Sequence, residues 1–306
     1  MLVTMKPILE AAREGHYCVP APNYGNAIEL KMCIEAAEEM NAPLILDIGH
    51  RGNYKEFSDL CAASVKMAKE AKVPVAINLD HGSAFEFIVQ AMYGGCSSVM
   101  VDRSWMSYED NVKEVSEIVR IAHAIGLSVE AELGHVGVNP TEEELANGTK
   151  AAENTDITKG VTRHAYITEE DKRATFTKVE DAVRYVKDTG VDCLAVAVGT
   201  VHGLYPKGIE PSIDYDLLAE LREAVPVPLV LHGGSGTGAE RLAKASQIGA
   251  CKLNVGSDLQ RAGREAVAAA VEAGKTPTEI TKAHYEGYKA ELMRYMDFCG
   301  AKGKAE

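Results

Sequence analysis

The chain has 306 residues, 46% hydrophobic and 25% charged, with 45 acidic against 32 basic side chains and a net charge of −13. That surplus of carboxylates excludes nucleic acid as a partner, because phosphate-backbone binding depends on clustered Lys and Arg. No apolar run approaches the roughly 20 residues of a membrane span.

Short apolar runs recur along the chain, and longer amphipathic stretches separate many of them. "YCVPAPNY" (17–24) leads to "AIELKMCIEAAEEM", and "APLILDIG" (42–49) leads to "FSDLCAASVKMAKEA", both with apolar residues at helical spacing. "VPVAINLD" (73–80) and "SSVMVD" (97–102) come next, followed by the helical pattern "NVKEVSEIVRIAHAIG". "LSVEAELG" (127–134) and "VDCLAVAVG" (191–199) precede the helix "YDLLAELREAV". "VPLVLHG" (227–233) and "ACKLNVG" (250–256) complete eight expected strands, and a helical segment is expected over 276–299. Continuous apolar runs suit parallel strands covered on both faces. Acidic residues early in several helices suit the helix dipole. Eight alternations predict a single α/β domain over 1–306, a (β/α)8 TIM barrel. A doubly wound sheet is the alternative, but neither a G-x-G-x-x-G opening nor a P-loop supports it.

The connection over about 135–176 is long, polar and rich in Thr, Asn and Gly. Loops of that length are usually functional or disordered. After strand five it sits at the catalytic face of a barrel, and it reads as a lid. A disordered excursion or an oligomer contact is the plainer reading. The seven cysteines are scattered singly with no C-x-x-C. They predict reduced thiols and a cytoplasmic location instead of a disulfide framework. The N-terminal stretch "MLVTMKPILEAAREGHY" has no apolar core with a cleavage site, so no signal peptide is expected.

In a barrel, the active site lies where strands end. Asp80 and His81 end strand three, Asp102 ends strand four, and Glu130 and Glu132 lie on strand five. His202 follows strand six, His232 ends strand seven, and Asn254, Ser257 and Asp258 lie at the end of strand eight. His81, His202 and His232 are each followed by glycine, which would let backbone or substrate approach closely. A lone histidine there is ordinarily a packing or loop residue. Three at equivalent positions predict a catalytic Zn²⁺ site with an open coordination position. His50 and His135 are possible rim residues. "HGGSG" and "NVGSD" after strands seven and eight offer backbone N–H groups and serine hydroxyls, a phosphate site at the place where barrels commonly build one. Either loop alone would be an ordinary tight turn. Lys207 would add a positive charge. A metal beside a phosphate pocket, with Asp80 as a free carboxylate, suits reversible carbon–carbon cleavage of a ketose phosphate.

These residues carry a resemblance. "LDHGS", "VMVDRS", "EAELG", "AVAVGTVHGLYPK", "LVLHGGSG" and "KLNVGSD" resemble, in order and spacing, the motif series of class II ketose-bisphosphate aldolases, a group that includes fructose- and tagatose-bisphosphate aldolases. The likeness covers about residues 7–260. It implies cleavage to dihydroxyacetone phosphate and an aldehyde through a zinc-stabilised enediolate. His81, His202 and His232 would be the zinc ligands, and Asp80 the group exchanging a proton with the C4 hydroxyl. Asp102 and Glu132 would lie at a secondary cation position. Gly203, Lys207, Gly233, Ser235, Gly256 and Ser257 would cradle the phosphate of dihydroxyacetone phosphate, and Asn254 would contact that substrate's oxygens. A lid glutamate acts on the triose carbon in this family. Glu142 is the residue taken here, with Glu143 and Glu144 as neighbours that match as well. The family also implies a homodimer or homotetramer.

The chain departs from the pattern in the half that reads the aldehyde. Arg103 stands where Gly or Ala is usual, and "DIGHRGN" brings His50 and Arg51 near the rim. "TEITKAHYEGY" replaces a stretch that carries arginines for the distal phosphate, with Lys282 at best in their place. Arg103 and Arg51 therefore suggest an anionic group other than phosphate, as in 6-deoxy-6-sulfofructose 1-phosphate or a carboxylated deoxy-ketose phosphate, beside the plain bisphosphate. A Schiff-base aldolase needs a barrel lysine; strand six has none, and Lys252 on strand eight lacks an evident arrangement. A metal-dependent hydrolase would begin with H-x-H on strand one, which "VPAPNY" does not offer. A non-catalytic barrel subunit should have lost ligands or Asp80, and all are present.

Overall fold

A computed structural model describes residues 1–49, 54–137, 154–156, 161–163, 169–203, 205 and 209–305. Eight parallel strands form one sheet: β1 (Val19–Pro22), β2 (Leu44–Gly49), β3 (Val75–Gly82), β4 (Ser98–Val101), β5 (Ser128–Leu133), β6 (Cys193–Val196), β7 (Leu229–Leu231) and β8 (Ala250–Val255). Their order is β1-β8-β7-β6-β5-β4-β3-β2. A parallel bridge between Asn23 and Asp47 joins the two ends, so the sheet curls into a nearly closed (β/α)8 barrel. Seven of the eight strands lie inside an expected apolar run, and β3 starts within its run (73–80) and continues two residues past it to Gly82.

The helices are α1 (Met5–Gly15), α2 (Ala27–Met40), α3 (Tyr54–Glu70), α4 (Phe85–Gly94), α5 (Tyr108–Ala124), short α6 (Glu169–Arg173), α7 (Val179–Thr189), α8 (Tyr215–Ala224), α9 (Ala239–Ile248), α10 (Ser257–Glu272) and α11 (Pro277–Phe298). Local chemistry starts several of them. Asn26 accepts from the N–H groups of Ile28 and Glu29, and Ser107 and Asp214 cap α5 and α8 in the same way. Thr276 and Glu279 form a capping box with Pro277 in the first turn of α11.

Helix α1 precedes the first strand and was not expected. It buries Met5, Ile8, Leu9 and Ala12 along one face. Its first N–H groups donate to Ser98 Oγ (2.9 Å) and Ser128 Oγ (3.1 Å), the first residues of β4 and β5. The helix thus closes the N-terminal mouth and leaves the opposite end for chemistry. Helix α11 packs on α10 and α2 and buries Tyr288, Leu292, Tyr295 and Met296. The Tyr288 hydroxyl donates to Asn23 O (2.9 Å), and the Tyr295 hydroxyl to Asp258 Oδ2 (2.6 Å). Both contacts fix loops at the catalytic end.

Candidate active site

A pocket of about 830 Å³ opens at the C-terminal ends of the strands. Asp80, His81, Asp102, His202, Gly203, Gly233, Ser235, Asn254, Gly256 and Ser257 all line it, so ten residues singled out from the sequence meet in one place. Glu132 is 1% exposed, and one of its oxygens lies within reach of His81 and Asp102. Arg51, His50, Glu142 and Lys207 lie outside the described residues.

Strand β3 delivers Asp80 and His81 through an irregularity. Its register against β4 shifts between Leu79 and Gly82, and His81 has φ = 48°, in the left-handed region. A Cβ on Gly82 would sit 2.3 Å from Met100 O, and one on Gly233 would sit 2.4 Å from Val201 O. The glycines after His81 and His232 therefore serve close backbone packing that aims the preceding imidazoles. They were expected to admit backbone or substrate, and the backbone occupies that room.

The three imidazoles converge. Ring centroids are 5.0 Å apart for His81–His202, 4.7 Å for His81–His232 and 5.6 Å for His202–His232. One nitrogen from each lies within 4.8 Å of the other two. Carboxylates set the tautomers. Asp102 Oδ2 is 2.8 Å from His81 Nδ1, and Glu130 Oε1 is 2.8 Å from His232 Nε2. An ionised carboxylate only accepts, so each of these ring nitrogens carries a proton. The nitrogens left over, His81 Nε2 and His232 Nδ1, face each other at 3.0 Å. His202 Nε2 is buried without a hydrogen-bond partner, as is Glu132 Oε2. Ring nitrogens left over by the carboxylates and converging on one spot, with orphaned buried atoms beside them, form a donor set that would suit a divalent cation. His81, Asp102 and Glu132 form a second group of the same kind.

Asp80 lies alongside. Its Oδ2 accepts from Asn23 Nδ2 (2.7 Å) and its Oδ1 from Asn254 Nδ2 (3.0 Å). Burial pushes its pKa up, but His81, His232, Lys252 and the Asn23 hydrogen bond outweigh burial and hold it at about 2. It is an acceptor at any working pH. Burial lowers the His81 pKa, yet Asp80, Asp102 and Glu132 carry it to about 10. His202 is driven well below the usual histidine range by burial and by the positive charge of its two neighbours. Glu132 rises to about 8, through burial and then the Asp102 charge.

The two glycine-rich loops interlock. Ser235 Oγ accepts from the N–H groups of Gly256 (3.3 Å) and Asp258 (3.2 Å) at the start of α10, and Gly236 N–H donates to Asp258 Oδ2 (2.9 Å). Serine hydroxyl and helix N-terminus thus share one corner of the pocket, where an anion is favoured.

Three points correct or extend the sequence expectations. Arg103 does not reach the pocket. It is 3% exposed; its Nη1 donates to the carbonyls of Gly82, Ser83 and Asp102, and its Nε pairs with Glu114. Its guanidinium holds the β3 and β4 ends, and it is not among the residues that line the pocket, which makes its role structural. Lys252 is wholly buried between Asp47 Oδ2 (3.1 Å) and Glu130 Oε2 (2.9 Å). Burial lowers its pKa, but Asp47, Glu130 and Asp80 raise it well above normal, so it cannot supply the neutral amine of a Schiff base. Asn23, His135, Gln260 and Arg264 also line the pocket and were not expected as site residues, apart from His135 as a possible rim group. Asn23 lies in the run read as strand one and searched there only for metal ligands. Arg264 lies two turns inside an amphipathic helix, where a charged residue ordinarily means a solvated face.

Comparison with known proteins agrees with this geometry. The family model "Fructose-bisphosphate aldolase class-II" matches residues 3–304. A fructose-bisphosphate aldolase of Thermus caldophilus is 35% identical over 331 residues, spanning all of both chains. The crystal structure of the YdjI aldolase of Escherichia coli K12 superposes with a TM-score of 0.80 at 29% identity, again over all of both chains. A fructose-bisphosphate aldolase from Campylobacter jejuni shares the fold, with a TM-score of 0.74 at 19% identity, over 99% of this chain and 96% of that one. The chain belongs to the class-II fructose-bisphosphate aldolase family, and it is an aldolase, a carbon–carbon lyase of carbohydrate metabolism.

Proposed function

We propose that the protein cleaves a ketose 1,6-bisphosphate or ketose 1-phosphate, reversibly, to dihydroxyacetone phosphate and an aldehyde, using Zn²⁺ held by His81, His202 and His232. The observation that carries this reading is the convergence of His81 Nε2 and His232 Nδ1, the ring nitrogens not engaged by Asp102 or Glu130, which face each other at 3.0 Å beside the ionised Asp80. When bound, the ion supplies a Lewis acid for the C2 carbonyl and for the negative charge that develops as the bond breaks.

The chain's own residues do the rest. Asp80, steadied by Asn23 and Asn254, accepts the C4 hydroxyl proton while the C3–C4 bond breaks. Ser235, Gly256 and Ser257, with Gly203 and Gly233, line the corner that suits the triose phosphate. Glu142, on the segment read as a lid, is assigned the proton exchange at the triose carbon, and Lys207 a charge beside the phosphate. Both assignments rest on the family resemblance. Asp102 and Glu132, with His81, would hold a second cation. With Arg103 committed to backbone carbonyls, Arg264 and Gln260, which line the pocket, are the groups among the described residues that we assign to the far anionic end of the substrate. That favours a bisphosphate over a sulfonated or carboxylated analogue. A homodimer or homotetramer is proposed on the family likeness, and a cytoplasmic setting on seven free, buried cysteines. No helix among the described residues is long and apolar enough to cross a membrane.

Initial rates on a panel of ketose phosphates test the reading. Fructose or tagatose 1,6-bisphosphate should be fastest, with activity lost to a chelator and restored by Zn²⁺. Fastest turnover of 6-deoxy-6-sulfofructose 1-phosphate would reverse the choice of substrate, and activity indifferent to chelation would remove the metal.

A further inference from the structure

TIM-barrel interiors are usually filled by layers of branched apolar side chains. Beneath the histidine cluster this barrel holds Asp47, Glu130 and Lys252, each 0% exposed. Buried ion pairs are often no better for stability than apolar residues of the same volume. Stability therefore does not explain this layer.

Lys252 Nζ contacts Glu130 Oε2 at 2.9 Å, Asp47 Oδ2 at 3.1 Å and Asn254 Oδ1 at 2.7 Å. Two of these contacts lead straight into the site. The other oxygen of Glu130, Oε1, lies 2.8 Å from His232 Nε2 and leaves His232 Nδ1 facing His81. Asn254 gives its carbonyl oxygen to Lys252, so its amide nitrogen must point the other way, to Asp80 Oδ1 at 3.0 Å. An ammonium can only donate, so it fixes both partners in the sense required. We propose that Lys252 is a positioning residue that sets, from one buried point, both the ligating tautomer of His232 and the orientation of Asp80. The inference rests on the roles given above to His232 and Asp80.

Replacing Lys252 by methionine keeps the stem and removes every donor. Glu130 Oε2 then keeps only the long contact from Asn78 Nδ2 (3.4 Å) and no counter-charge at hydrogen-bond distance, and Asn254 Oδ1 loses its ammonium donor, which disturbs both branches. A second change separates them. In Lys252→Met/Glu130→Gln the layer carries no unpaired charge at position 130, and the amide oxygen still accepts from His232 Nε2. Asn254 remains unanchored.

The test measures zinc affinity of the full-length protein by competition with a chromogenic chelator, beside kcat for bisphosphate cleavage. Lys252→Met should bind Zn²⁺ about 10- to 100-fold more weakly, the usual effect of losing an outer-shell partner, and turn over more slowly. The double variant should regain wild-type zinc affinity while kcat stays low. A residue that only fills the core would not split these two readouts. Wild-type affinity in Lys252→Met overturns the proposal, as does recovery of both readouts, or of neither, in the double variant. Should neither variant fold, ¹⁵N NMR of the zinc-loaded wild type decides: a proton on His232 Nε2 supports the proposal, and one on Nδ1 overturns it. A wild type that binds no zinc, or cleaves without it, refutes the site reading itself and is told apart by that control.

Discussion

Replacing Asp80 by asparagine should abolish most turnover while leaving zinc in place. The wild-type carboxylate receives two amide donors, Asn23 Nδ2 at 2.7 Å and Asn254 Nδ2 at 3.0 Å. An asparagine keeps one acceptor oxygen, and its own NH₂ then faces an NH₂ across the other contact. A buried donor left without a partner costs about 1–3 kcal/mol. The lost charge adds to this. Burial pushes the Asp80 pKa up, but His81, His232, Lys252 and Asn23 hold it at about 2, against an ordinary 3.8. A depressed carboxylate contributes stability above its unfolded pKa, here about 2 kcal/mol, and loses it as pH falls through the folded value. Wild-type stability should therefore decline between about pH 4 and pH 2 more steeply than that of Asp80→Asn. Removing the proton carrier should lower kcat about 10²- to 10⁴-fold, equivalent to roughly 3–5 kcal/mol of barrier. Metal content should stay at the wild-type ratio, since Asp80 is not one of the three converging imidazoles and its nearest approach to them, Oδ1 to His81 Nε2, is 3.9 Å. Coupled detection of dihydroxyacetone phosphate gives the rate, and elemental analysis of the dialysed protein gives the zinc. A kcat within a few-fold of wild type, or zinc lost in step with activity, would refute the division of labour between Asp80 and the histidines.

His81→Ala should lose both zinc and turnover, and chelation of the wild type should lower the melting temperature as well as activity; borohydride with substrate should trap nothing. Arg103→Met removes the side-chain donor to the carbonyls of Gly82, Ser83 and Asp102 and the cationic partner of Glu114. It should cost roughly 3–6 kcal/mol in denaturant unfolding, with relative kcat/KM values across the substrate panel unchanged. A shift in substrate preference would return Arg103 to the site. Arg264→Met should lower kcat/KM for a 1,6-bisphosphate by about 10- to 100-fold, the worth of a charged hydrogen bond. A ketose 1-phosphate without a distal anion should be cleaved as before, and equal losses on both substrates would contradict the assignment.

The legible part of this protein is the part set by periodicity and by strand ends. Eight apolar runs gave the barrel, and polar residues at or near the ends of six of them, strands three to eight, gave the pocket, because in a parallel barrel all strand ends share one rim. The sequence was silent where two side chains compete for one role. Arg103 directly follows a site carboxylate, and nothing local says whether its guanidinium turns to the pocket or to the carbonyls of the neighbouring strand. Arg264 was passed over for the opposite reason. An arginine in an amphipathic helix reads as solvent-facing, and only the packing of α10 against the mouth makes it a lining residue. The charged layer was visible in outline, since Asn78/Asp80, Glu130/Glu132 and Lys252/Asn254 are each two residues apart on strands. That spacing puts both members of a pair on one face, and polar pairs inside apolar runs mark the face turned inward.

The electrostatics of that layer connect the fold to the chemistry. Asp47, Asp80, Asp102, Glu130 and Glu132 have side chains at most 12% exposed, and Lys252 is the one lysine contacting this layer among the described residues. Five buried carboxylates around one ammonium cannot all remain ionised at an acceptable cost. The chain resolves this in two ways. Asp47 and Glu132 give way, each raised to about 8, first by burial and then by neighbouring charge: for Glu132 the Asp102 carboxylate, for Asp47 those of Asp80 and Glu130 against Lys252. His81 takes up a proton, its pKa carried to about 10 by Asp80, Asp102 and Glu132 against burial. A divalent cation among the three imidazoles does the second of these jobs without the proton, because its charge can replace the imidazolium. The carboxylates that are costly to bury are thus the ones that would hold a cation tightly, and the charge of that cation would keep Asp80 beside it ionised.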